Sequence, residues 1–315
     1  VIRHIAARLV DLAFVLIGIS LLVFCMIRFI PGDAVAIMLG ANTEVTPDRV
    51  AALRSQLGLD QPLLLQYGRW AWAALHGDLG TSLWTGRPVV DEIALHIWPT
   101  VQLSVLALVL GAGLSVPAGC LMARLRGGTG DTLLRLVSVA GLTIPSFWLG
   151  IVMILALATL APSLQLLGYV PFFDDPLGNI ARLLLPAICL ALPILANLSR
   201  LIRSALLESL GQDYIRTARA KGLGEARVLY RHALANAMIP FVTSLGIMTG
   251  YLLGGAIVVE QVFAIPGLGR LILGAISERN YPLLQAVILL VTAGFVVVNF
   301  AVDLLYRVID PRLRG

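Results

Sequence analysis

Six times along its 315 residues the chain turns apolar for about the length that a bilayer asks of a helix, roughly 20 residues. The stretches run from Leu9 to Ile30, Thr100 to Ala123, Leu136 to Leu160, Leu183 to Leu198, Ile239 to Val259 and Leu283 to Tyr306. The fourth has only 16 residues and holds Pro186 and Pro193; it reaches spanning length when Ile180, Leu201 and Ile202 join it and Arg182 snorkels to the interface. Composition agrees, with 58% hydrophobic and 13% charged residues, half the charge of a soluble domain. That shortage excludes a water-soluble fold, a nucleic-acid binder and a disordered chain. Cys25, Cys120 and Cys189 each fall inside a span, too far apart for a local metal or redox pair, so they read as small packing groups rather than a disulfide scaffold. The expected class is an all-α integral membrane protein with six transmembrane helices.

The net charge of +5 says less than where the charges sit. Fifteen of the 23 Lys and Arg residues fall on one side of the spans: near the N-terminus, around Arg124, Arg126 and Arg135, in the segment 199–238 and after Tyr306. Seven fall on the other side, against eleven acids that include Glu260, and Arg28 lies inside the first span. The positive-inside rule makes the richer side cytoplasmic, with both termini on it. The first stretch lacks a small-residue cleavage site before Pro31-Gly32-Asp33 and reads as a retained anchor. The expected organisation is an N-terminus and first helix over 1–30, an extracytoplasmic segment over 31–99, a five-helix core over 100–307 and a cytoplasmic tail over 308–315.

Two segments outside the spans have their own pattern. In 31–99, Thr46-Pro47-Asp48 signals a helix start with Gly58 as its stop, and a second helix follows Asp60 with Leu63, Tyr67, Trp70 and Ala74 on one face, ended by Gly77. Four of the five tryptophans lie here: Trp70, Trp72, Trp84 and Trp98. They suit a membrane-interface belt with a local core, or a docking platform. In 199–238 the helical pattern lasts to about Leu210, Gly211 breaks it, and Asp213 can cap a short helix through Lys221 that Gly222 and Gly224 end. A helix that short is unstable alone and must pack on something. Ala218 and Ala220 would let a surface approach closely, and Arg216, Arg219 and Lys221 can bond carboxylates or carbonyls; a basic loop that merely enforces topology fits equally well.

Gln212-Asp213-Tyr214-Ile215-Arg216-Thr217-Ala218-Arg219-Ala220-Lys221-Gly222-Leu223, followed by Arg231-His232-Ala233-Leu234 and Asn236-Ala237-Met238-Ile239-Pro240, resembles the cytoplasmic coupling loop of permease subunits in binding-protein-dependent ABC importers, in the dipeptide, oligopeptide and nickel branch. The resemblance extends through Pro31-Gly32-Asp33, Leu57 to Leu63, Gly77 to Ser82, Ile144-Pro145-Ser146-Phe147-Trp148, Pro266 to Arg270 and Asp310-Pro311-Arg312. The general importer loop opens Glu-Ala-Ala; this chain has Arg216-Thr217-Ala218, as the peptide branch does. The resemblance implies the ABC importer permease fold, with a large extracytoplasmic loop between helices 1 and 2 and a coupling helix between helices 4 and 5. It implies a bacterial inner-membrane location, a second homologous permease subunit, one or two ABC ATPase subunits and an extracytoplasmic solute-binding protein. Small peptides are its first substrate class, with glutathione and nickel chelates beside them.

The chain carries no motor of its own. Lys221, its one lysine, follows Ala220 and precedes Gly222, which rules out G-x-x-x-x-G-K-[ST]. ATP and magnesium are therefore expected on partner subunits, with no cofactor on this chain. His4, His76, His96 and His232 are scattered without metal spacing, and no nucleophile, base and orienting group assemble from local motifs. Gly246, Gly250 and Gly254 form a small-residue face suited to packing within the subunit, to a partner interface or to a pore wall. Pro145 with Ser146, and the other span prolines, point to a water-lined path. Asp11, Arg28 and Asp303 are the ionisable residues inside the spans. An ion-coupled secondary transporter would want an acid at mid-membrane, and none of these supplies it.

Overall fold

The computed structural model describes residues 2–29, 60–161 and 167–309. Among them there is no strand; one isolated bridge pairs Thr81 with Pro88. The expected helix at Thr46 to Gly58 and the motifs at Pro31 and Asp310 lie outside the described residues. Helices follow in the order α1 (Ile2–Phe29), α2 (Leu63–Leu75), α3 (Val89–Arg124), α4 (Thr129–Thr143), α5 (Ser146–Leu160), α6 (Pro176–Leu210), α7 (Asp213–Ala220) and α8 (Glu225–Arg227). A π-helical segment, Val228–Ala233, then leads without a break into α9 (Leu234–Val262), and α10 (Leu268–Ser277) and α11 (Tyr281–Ile309) complete the order. By length and apolarity four of these helices can cross a membrane, or five if α4 and α5 count as one bent span.

The third expected span corrects the reading of Leu136 to Leu160 as one helix. α4 stops at Thr143, Ile144 is extended, α5 starts after Pro145, and the two axes differ by 101°. Proline removes an N–H and drives the residue before it out of the helical region. Pro186 and Pro193 leave α6 unbroken over 35 residues. Asp175 caps α6, its Oδ1 accepting from the Gly178 amide at 2.9 Å, and Pro176 sits in the first turn where its missing donor costs nothing. α3 begins at Val89, so the boundary drawn at 99 falls inside a continuous helix whose polar first turn, with Asp91 and Glu92, extends beyond the apolar part.

The chain divides into two compact units, Val1–Trp98 with Gly267–Val296, and Pro99–Pro266 with Val297–Gly315. In the first, α2 rests on α1 through Tyr67 and Trp70 against Phe24, and the Tyr67 hydroxyl meets Ser20 Oγ at 2.8 Å. The loop 80–88 is pinned from Asn280, whose amide donates to Ser82 Oγ at 2.8 Å and accepts from Leu83 N at 3.2 Å.

α6 is the axis of the second unit. Half of the residues in its most apolar stretch are buried, against 22–33% in the other long apolar helices. α3 crosses it so closely that a Cβ on Gly111 would lie 2.8 Å from Ile194 Cβ, and one on Gly119 would lie 2.7 Å from Ile202 Cβ and 2.8 Å from the Ser199 carbonyl. Buried Ser115 lies midway between the two glycines. Because the obstruction at Gly119 includes backbone, Gly119→Ala should destabilise the purified chain by about 1–3 kcal/mol. Gly254→Ala meets nothing within 4 Å and should gain up to about 1 kcal/mol of helix propensity. Thermal unfolding of both variants in one detergent checks the opposite signs.

Candidate functional site

α6 runs to Leu210, and α7 starts from Gln212, which is extended and makes no side-chain cap. Asp213, expected as the cap, is instead the first helical residue and pairs with Arg216 at 3.2 Å, both side chains exposed. Such a pair adds little stability. The other end is better fixed. The Gly222 amide donates to the Arg219 carbonyl at 2.9 Å and the Leu223 amide to Ala218 at 3.3 Å, a double closure made possible by the left-handed φ of +81° at Gly222.

The helical period then sorts the site residues into two faces. Ile215 is fully buried and Ala218 is 7% exposed, and both belong to the cluster that includes Val228, Leu229 and Ala233. Ala218, expected to receive a partner, thus faces the chain's own core. Ala220 is the small residue left outward, beside Arg216, Thr217 and Lys221. Arg219, expected to bond a partner, is held by Glu225 in a two-pronged pair at 2.8 and 3.1 Å, which pushes its guanidinium pKa further up and keeps it charged. Among the described residues, Lys221 is the one of the three basic groups with no ion pair.

Tyr214 joins three elements. Its hydroxyl meets Ser209 Oγ at the end of α6 and accepts from Asn236 Nδ2 at 2.8 Å near the start of α9. Ser209 had no place in the sequence reading, because a serine eleven residues past a span end carries no signal of its own. The π-helical turn between α8 and α9 buries Val228, Leu229 and Ala233 under α7; such a turn inserts one residue into the helical phase.

The other sequence candidates lie apart from α7. Pro145 is the N-cap of α5, and Ser146 lines a cavity of about 350 Å³ with Leu142, Leu190, Pro193, Tyr251 and Leu252. Gly246 is buried, Gly250 half-buried and Gly254 fronts open space, so the three do not share one contact within the chain. Trp72 is 67% exposed with its ring 4.5 Å from that of His76, and Trp84 is 60% exposed while its indole N–H donates to the Glu278 carbonyl at 2.7 Å. Glu260, read as an outer acid, is fully buried in α9 and accepts from Thr100 at 2.6 Å. Its position one residue past an apolar stretch was the available signal. Among the described residues no three His, Cys, Asp or Glu side chains gather as a metal site.

Residues 115–315 match the model of the binding-protein-dependent transport system inner membrane component, and residues 1–101 match the N-terminal model of such membrane components. The chain is 41% identical, over 95% of its length and 94% of the relative's, to the dipeptide transport system permease protein DppB of Escherichia coli (strain K12). It is 39% identical to a putative peptide transport system permease protein of Brucella abortus (strain 2308), over 95% of both chains. Among solved structures, it is similar in fold to a chain of the MetNI methionine ABC transporter in inward-facing conformations, with a TM-score of 0.56 at 19% identity over 69% of this chain and 96% of that one.

The left-handed turn at Gly222 has open space around it, so conformation alone limits what can replace it. Gly222→Val should cost about 1–2 kcal/mol and speed hydrogen exchange of the α7 amides roughly tenfold, whereas Gly222→Asn, which tolerates that turn, should stay near the parent rate. Equal protection in both variants would show that the turn does not hold the helix.

Proposed function

This chain belongs to the family of binding-protein-dependent transport system inner membrane components, and on that premise we propose that it forms half of the path by which small peptides cross the inner membrane. The observation that carries the substrate class is the full-length likeness to peptide and dipeptide permeases. A second homologous permease subunit supplies the other half. A solute-binding protein delivers the peptide from outside, and one or two ABC ATPase subunits hydrolyse ATP with magnesium on the cytoplasmic side. The excess of Lys and Arg supports the side of α7 and of both termini as cytoplasmic. The chain itself performs no chemistry.

In this reading the outward face of α7, with Arg216, Thr217, Ala220 and Lys221, docks in a cleft of an ATPase subunit. Gln212 and Asp213 set its entry, and Gly222 its exit. Motion of the ATPase reaches α9 through Ile215, buried with Val228, Leu229 and Ala233 of the π-helical segment that runs on into it, and reaches both α6 and α9 through the Tyr214 hydroxyl bridge. Labelled dipeptide should enter vesicles that contain the assembled transporter and internal ATP. Uptake that survives an inactive ATPase, or that follows nickel chelates or glutathione instead, would overturn the proposal.

Two variants separate docking from folding. Ala220→Arg should cut ATPase co-purification and uptake at least tenfold while the purified permease keeps its melting temperature. Ala218→Arg should lower that temperature, since the residue is 7% exposed in the chain's own core. Intact ATPase binding in Ala220→Arg would move the contact elsewhere.

Trp72 and Trp84 are proposed to meet the loaded binding protein on the outer side. Trp72→Ala removes exposed apolar surface and one ring contact with His76. It should lower binding-protein-stimulated ATP hydrolysis severalfold and leave basal hydrolysis unchanged.

A further inference from the structure

Asp131, near the start of α4, is 1% exposed. Arg203 of α6 holds its carboxylate in a fork, Nε at 2.8 Å and Nη2 at 2.7 Å, and Arg135 reaches the same group at 3.6 Å. One acid thus serves two guanidiniums. A third, Arg200, lies one helical turn before Arg203, exposed and with no ion pair or hydrogen bond among the described residues. All three arginines line one cavity of about 440 Å³, whose wall Asn197, Leu201 and Ser204 complete. Three guanidiniums against one carboxylate leave two positive charges in excess.

The depth of this cavity follows from α6. Arg182 and Arg200 bracket the apolar part of the helix and lie eighteen residues apart, about 27 Å at 1.5 Å per residue. That is close to the ~30 Å thickness of the hydrocarbon. With α6 along the membrane normal, Arg200 stands at the edge of the hydrocarbon on the basic side, from which its long side chain reaches the lipid phosphates. From Arg135, α4 continues into the apolar layer with Leu136 62% and Val139 46% exposed.

We infer that the cavity lined by Arg135, Arg200 and Arg203 binds the phosphate of an anionic phospholipid, whose acyl chains lie along Leu136 and Val139. A planar guanidinium matches a phosphate in two-pronged geometry, and basic pockets between helices at headgroup depth take such groups. The excess charge sets the preference. A zwitterionic lipid brings its own cation close to the phosphate, and the unneutralised guanidiniums repel it. Arg200 is the gripping residue, because Arg203 is already held by Asp131. The site rests on the membrane placement of the chain and not on which solute it carries.

The full-length chain, purified with its partner subunits and titrated with phosphatidylglycerol or phosphatidylcholine, tests this by native mass spectrometry of retained lipid. The parent should retain phosphatidylglycerol about tenfold more strongly. Arg200→Gln should lose most of that preference, Arg200→Lys should keep part of it, and Arg135→Gln should weaken it. Among the described residues the Arg200 side chain has no bonding partner, so an unchanged melting temperature in Arg200→Gln separates ligand loss from unfolding. Equal retention of the two lipids by the parent, or an unchanged preference in both glutamine variants, would overturn the site. So would displacement of phosphatidylglycerol by a free dipeptide but not by its C-terminal amide, which would make the cavity a carboxylate stop on the transport path.

Discussion

The close crossing of α3 over α6 is the contact on which the larger unit rests. Within lipid, apolar side chains gain nothing by leaving hydrocarbon for hydrocarbon, so helices associate through tight packing and through the polar groups they satisfy. Gly111 and Gly119 let two backbones meet where any side chain would intrude on Ile194, Ile202 and the Ser199 carbonyl. With α6 fixed on that side, Gly141 of α4 approaches Leu192 and Ala196 on another, and Leu190 and Ile194 join Leu252 and Ala256 of α9 in the core cluster.

α7 depends on that core although it stands outside it. Eight residues cannot hold a helix in water. Full burial of Ile215 contributes about 1.5–3 kcal/mol, and the Gly222 closure satisfies carbonyls that would otherwise be left open. The Tyr214 hydroxyl adds a polar tie to both flanking helices. The segment therefore offers a firm seat inward and a polar, small-residue face outward.

Much of this was legible in the residues. The spans follow from runs of apolar length, and α7 follows from Gly211 and Gly222 on either side of a short helical pattern. What was not legible is what tertiary packing decides. The chain spaces small residues by four twice, at Gly111, Ser115 and Gly119 and again at Gly246, Gly250 and Gly254. The first set is the close crossing, while Gly254 fronts open space. Prolines behave likewise: Pro145 separates two helices, whereas Pro186 and Pro193, inside the most buried helix, do not. A helical period also tells which residues share a face but not which way that face turns, and so Ala218 turned inward where a partner was expected.

The unbroken length of α6 has a mechanical consequence. From the middle of its crossing with α3, near Leu198, the rod extends twelve residues to Leu210 and twenty-two to Pro176, about 18 and 33 Å. Any rotation about that fulcrum is magnified nearly twofold toward the far end. A push of one ångström beside α7 thus sweeps the opposite end of α6 through almost two, with no hinge required between them.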